Sequence, residues 1–171
     1  GCNGALGYAF LEKRFLSKNK HRFYYHYGRD DVDLRNFRET YKYISKIKPD
    51  YIIHCASLSG GIRHTANQHS KLLVENCEIN FNILQISYLL KVKKVVVFLS
   101  SGMYSKNLKN PNEDEINFFE PSDNNYGASF AKRLLKPLIK SFRDEKNLDV
   151  IGLALSGIYG PGDRFDLKSS A

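Results

Sequence analysis

An α/β fold built on a doubly wound parallel sheet is predicted by three features of this sequence. Strand-like and helix-like segments alternate along its length. The run "KKVVVFLS" at 93–100 is β-branched without polar alternation, as a parallel strand covered on both faces requires. The chain opens with "GCNGALG", whose glycines at 1, 4 and 7 permit a tight strand-to-helix turn and a close approach of backbone to an anion at the helix N-terminus.

The elements follow in order. Residues 5–18 predict a helix, and "HRFYYHY" at 21–27 a strand. Residues 35–48 set Phe37, Tyr41, Ile44 and Ile47 on one helical face. "DYIIHCA" at 50–56 predicts a buried strand, and 67–91 a long helix with Ile79, Ile83, Ile86 and Leu90 along one side. The strand at 93–100 precedes a polar loop at 105–125, a helix at 127–145 and a last strand, "LDVIGLAL", at 148–155. Because a phosphate loop normally follows a strand, the opening glycines predict a fragment that lacks the first strand of its sheet.

With 171 residues and 42% apolar content, the chain has room for one domain with a core. Its longest apolar stretch is "VVVFL", so no membrane span or signal peptide is expected. Cys2, Cys55 and Cys77 share no metal-binding spacing, and three isolated thiols suit a reducing cytoplasm better than a disulfide scaffold. The net charge of +8 is spread over helix faces rather than gathered in a block, which argues against a nucleic-acid partner. His64 and His69 stand five apart, off a common helical face, and no carboxylate completes a metal set.

Further segments carry a family resemblance: "GRDDVDL", "CASLSGGI" at 55–62, Asn76 and Asn82, "FLSSGMY" at 98–104, "EPSDNNY" at 120–126 and "IYGPGDRF" at 158–165. With the opening glycines they make the chain resemble the extended short-chain dehydrogenase/reductase (NAD-dependent epimerase/dehydratase) family, on its GDP-L-fucose synthase branch, from Gly1 to about Phe165. From Gly60 and Gly61 to Ser100 the resemblance needs no gap. It implies a partial NAD(P)-binding Rossmann-like domain over 1–171, with a C-terminal substrate domain beyond it.

The resemblance also implies roles. Ser100 would hold the reacting oxygen of a substrate, Tyr126 would donate the proton, and Lys132 would lower the tyrosine's pKa and hold the nicotinamide ribose. A tyrosine near pKa 10 needs such a cation to work at neutral pH. Gly1, Asn3, Gly4, Leu6 and Gly7 would hold the cofactor pyrophosphate, and Cys55, Ala56 and Ser57 would line the middle of the cofactor. Arg29 would take the 2′-phosphate of NADP, with Asp33 and Leu34 at the adenine, although "GRDD" leaves NAD open. Gly60, Gly61, His64, Ser101 and Gly102 would meet the sugar. Gly102 stands where this branch carries a cysteine acid/base, so reduction of a keto group is expected over epimerisation. A homodimer through the helices at 67–91 and 127–145 is also implied, with Phe81, Leu84 and Tyr88 as surplus apolar residues.

One spacing departs from the family. Its lysine follows the tyrosine by four residues, whereas here Phe130 stands at that distance and Lys132 comes six after Tyr126. On a helix, residues i and i+6 lie about 240° apart and roughly 9 Å along the axis. Either a two-residue bulge hinged at Gly127 restores the pair, with regular helix starting at 129–131, or the pair is broken. The expectation is a nucleotide-sugar reductase or epimerase. A 4-epimerase, a 4,6-dehydratase and a non-catalytic dinucleotide sensor are the alternatives.

Overall fold

The computed structural model describes residues 1–11, 22–60 and 62–161. Among the described residues, three parallel strands, β1 (Tyr51–His54), β2 (Lys94–Ser100) and β3 (Val150–Leu155), form a sheet in the order β1-β2-β3. Ile53 pairs with Val96 and Phe98 with Leu153, so side chains in register share a face. This is a Rossmann-like sheet, and its connections are helical.

Helix α1 covers Ala5–Ala9, and the rest of the expected 5–18 helix lies outside the described residues. Helix α2, Phe37–Ile47, starts where Asn36 accepts the Glu39 N–H (3.1 Å) and stops at Lys48 in the left-handed region, φ 50°. The cap sets a register that differs from the expected one. Thr40 and Ile44 are buried and Tyr43 packs against them, while Phe37 and Tyr41 stack on each other outside. Thr40 is drawn inward by its hydroxyl, which donates to the Asp33 carbonyl.

The expected helix at 67–91 is α4 (His69–Leu89), and a short helix α3 (Ile62–Asn67) precedes it, divided from it at Gln68, whose ψ of 39° is not helical. Ile83 and Ile86 are buried, with Ile79 and Leu90 against the same cluster, as the periodicity predicts. Leu84 is fully buried beside Val95, Val97 and Val150, so it serves this chain's core rather than a dimer face. Burying such a side chain contributes about 1.5–3 kcal/mol.

The expected helix at 127–145 is two, α5 (Tyr126–Arg133) and α6 (Leu135–Lys146). Pro137 has no N–H for the Arg133 carbonyl, and the ladder breaks at Leu134. Leu135 is buried and Leu138 and Phe142 pack on the core, but Leu134, at the break, is exposed.

One further expectation fails. Segment 22–27 forms no strand: no described strand lies beside it, and the His26 carbonyl instead accepts the Gly1 amine (2.9 Å) and the Cys2 N–H (3.1 Å). The sheet is also closed on one face more than the other. Helices α4 and α6 bury Val95, Val97 and Val150, whereas Ile53 and Leu153 on the opposite face stay exposed among the described residues.

Candidate cofactor and active site

A cleft of about 750 Å³ runs past the carboxyl ends of the strands. At one end is the glycine turn. A Cβ on Gly7 would stand 2.0 Å from the Gly1 carbonyl oxygen, and one on Gly1 would stand 2.5 Å from the Ala56 nitrogen. Both positions therefore require glycine for close backbone packing. Gly4 is different: nothing lies closer than 3.9 Å to its Cβ position, which opens on free space in the cleft. That space beside a helix N-terminus fits a pyrophosphate. The Cys2 N–H is already spent on His26, which leaves the donors further along the turn for an anion. Asn3 fixes the turn to the next segment through the Tyr27 carbonyl.

Two asparagines of α4 shape the cleft walls. Asn76 accepts the Leu58 N–H (2.7 Å) and donates to the Leu58 carbonyl (3.0 Å), clamping the loop after β1. Asn82 donates to the carbonyls of Leu34 (2.9 Å) and Arg35 (2.8 Å), holding the loop before α2. On that loop Arg29 bonds Glu75 across 3.0 Å, and Arg35 bridges Glu75 (2.8 Å) and Asp33. The Arg35 guanidinium holds the Asp33 carboxyl down at about 2. Arg35 was missed by the motif reading, although it stands one residue after "GRDDVDL" and is a second arginine at this end of the cleft.

At the other end, β2 delivers Ser100 and Ser101 to the cleft. Ser100 Oγ accepts the Gly102 N–H (3.2 Å), and Ser129 Oγ donates to the Gly102 carbonyl (2.7 Å), so the strand end is tied to α5. A Cβ at Gly102 would meet the Asn125 amide nitrogen at 3.0 Å, so the space beside it is already taken. Lys132 Nζ donates to the Phe98 carbonyl across 2.7 Å. Burial pushes its ammonium down to about 8, with the nearby Cys55 thiol acting in the opposite sense. Burial also lifts the Cys55 thiol to about 11.

The tyrosine and the lysine part company. Helix α5 is regular from Tyr126, and no bulge intervenes. Gly127 is no hinge. A Cβ there would stand 2.1 Å from the His69 carbonyl oxygen, so its role is to let α5 cross closely over the start of α4, which fixes the helix from its first turn. The Tyr126 ring packs on Phe130 (4.7 Å between centroids) and His69 (6.3 Å), and Tyr126 is 41% exposed. Phe130 faces a separate cleft with Arg133 and Phe119, not the one that holds Lys132. Neither Tyr126 nor Phe130 lines the cofactor cleft.

The remaining sequence expectations are placed as follows. Gly1, Asn3, Gly4, Leu6, Gly7, Arg29, Asp33, Leu34, Cys55, Ala56, Ser57, Gly60, Ser100, Ser101 and Lys132 all line one cleft. Gly102 stands behind Ser100. Gly61 and the His64 side chain lie outside the described residues. Among the described residues no cluster suits a metal ion, and no helix is long and apolar enough to cross a membrane.

A glycine turn at a helix N-terminus, opening on a cleft across the ends of parallel strands, defines a dinucleotide-binding protein. The chain matches the NAD dependent epimerase/dehydratase family over residues 6–171 and belongs to it. A protein named "Probable GDP-L-fucose synthase" from Drosophila melanogaster is 31% identical over 144 residues, covering 84% of this chain and 45% of its own. A GDP-L-fucose synthase from Dictyostelium discoideum is 30% identical over 138 residues, 80% of this chain and 43% of its own. Among solved structures, a GDP-D-glycero-L-gluco-heptose synthase from Campylobacter jejuni, determined with NADPH, superposes with a TM-score of 0.88 at 28% identity. It matches 99% of this chain and 49% of its own. A GDP-L-fucose synthetase from Naegleria fowleri bound to NADP gives 0.86 at 25%, with 99% and 52% covered. The chain thus spans about half the length of these relatives.

Proposed function

We propose that this chain is the cofactor-binding part of an NADPH-dependent enzyme that reduces a keto group on a nucleotide-linked sugar. The observation that carries this reading is the meeting of Ser100 and Lys132 with the glycine turn in one cleft at the strand ends. A nicotinamide dinucleotide would lie with its pyrophosphate over Gly4, its adenosine by Arg29, Asp33 and Leu34, and its nicotinamide ribose by Lys132. Bound there, the cofactor would supply hydride. Cys55, Ala56 and Ser57 would line its middle, and Ser100 would hold the substrate oxygen. Gly60, Gly61, Ser101, Gly102 and His64 would border the sugar.

NADP is favoured over NAD because Asp33 is already engaged by Arg35, while two arginines face the adenosine end. The relatives solved with NADPH and NADP support the same choice. Reduction is favoured over epimerisation because Gly102 has no proton to give and Asn125 fills the space beside it. A cytoplasmic homodimer is part of this proposal.

The second reading, a dinucleotide sensor without turnover, draws on the position of Tyr126 outside the cleft. Titrating the full-length protein with NADPH and a GDP-linked 4-keto sugar separates the two. Oxidation of NADPH supports the reductase, and binding without oxidation supports the sensor.

A further inference from the structure

Helix α5 sets a geometric problem for proton transfer. A residue that shares the face of Lys132 must stand three or four positions away; four before it is Ala128, and three before it is Ser129, whose hydroxyl already donates to the Gly102 carbonyl. Tyr126, six before it, is turned about 120° aside and packs with Phe130 and His69. Tyr104 is no substitute: Glu113 and Glu115, outside the cofactor cleft, act on its hydroxyl. Among the described residues, the cleft around Ser100 therefore contains one cationic donor, the Lys132 ammonium.

We propose that Lys132, rather than a tyrosine, gives the proton to the substrate oxygen when a keto sugar is reduced in this cleft, with Ser100 holding that oxygen; this rests on the reductase reading above. The balance closes with groups already named. A reduced nicotinamide held in the cleft would supply the hydride for the new C–H bond, and the substrate oxygen, left with the carbonyl π pair, would take its proton from Nζ of Lys132. The neutral amine left behind recovers its proton from water. The ammonium is suited to this task because burial has brought it to about 8, close to working pH. Among the described residues, the titratable groups that face it are Cys55 and His54, both from the end of β1, and His54 is neutral there.

The test uses the full-length protein with NADPH and a GDP-linked 4-keto sugar. Turnover in the wild type should fall about tenfold per pH unit above about 8, because the deprotonated amine cannot donate. Lys132→Arg keeps the charge but holds its proton past pH 12, so turnover should drop about 10²-fold or more while NADPH still binds. Ala128→Tyr sets a hydroxyl on the lysine's face, and the alkaline limb should move upward. Independently of turnover, NMR of the free protein should show one lysine titrating near 8 that is missing in Lys132→Arg. Lys132→Arg turning over like the wild type with the same alkaline limb overturns the proposal and leaves the reductase reading intact. If that variant does not fold, an unmoved limb in Ala128→Tyr overturns it instead. NADPH binding without any wild-type turnover overturns both.

Discussion

The Lys132 ammonium donates to the Phe98 carbonyl across 2.7 Å, two residues before the strand delivers Ser100. This bond anchors the Lys132 end of α5 to the sheet, while Tyr126 at the head of the same helix is held against Phe130 and His69. The cofactor cleft is thus organised around the lysine.

Glycines of the opening turn should separate by function. Gly4→Leu fills open cleft space and should abolish NADPH binding with an unchanged melting temperature. Gly7→Ala, which collides with backbone 2.0 Å away, should destabilise the fold itself. Equilibrium binding and thermal melts of both variants check this, and unchanged affinity in Gly4→Leu would remove the dinucleotide assignment from this cleft.

Arg29→Ala should weaken NADPH binding by about 1.5–3 kcal/mol, the scale of a hydrogen bond to a charged group, and leave NADH binding nearly alone. Competition titrations with both cofactors measure it. Equal losses would transfer the 2′-phosphate to Arg35, which already reaches the same carboxylate, Glu75.

Acid should act through His54. Its Nε2 donates to Asn80 Oδ1 (3.1 Å), and burial, followed by the charge of Lys132, holds its pKa down to about 3. The unfolded chain binds a proton there below about 6.5 and the folded chain does not. Stability should therefore be complete above pH 6.5 and fall toward pH 3, with His54 contributing about 1.4 kcal/mol per unit. Denaturant unfolding at several pH values should show a shallower loss in His54→Gln.

Val74, Phe81 and Tyr88 stand seven apart on α4 and are all exposed, at 54%, 42% and 39%. That spacing keeps them on one stripe, drifting about 20° per heptad. The full-length protein should sediment as a dimer at micromolar concentration, and Phe81→Asp should yield monomers with unchanged secondary structure. A wild-type monomer would refute the interface.

What the sequence by itself determined are the features that a single element or turn decides. The β-branched run at 94–100, the isoleucine stripe of α4 and the glycine spacing each carry their own steric or hydrophobic requirement, so they could be read without neighbours. The cleft-lining residues followed because strand ends and the turn between them are local. Tertiary structure alone decided which way α2 and α5 face. Thr40 turned inward because the Asp33 carbonyl was waiting for its hydroxyl, which rotates the buried face of α2 to Thr40 and Ile44 and leaves Phe37 and Tyr41 outside. Gly127 meets the His69 carbonyl from a distant helix, and that contact fixes the rotation of α5, sending Lys132 to Phe98 and Tyr126 away from it. A six-residue spacing could be written as a bulge or as a helix with equal ease. The close crossing of two helices, invisible along the chain, left room only for the helix.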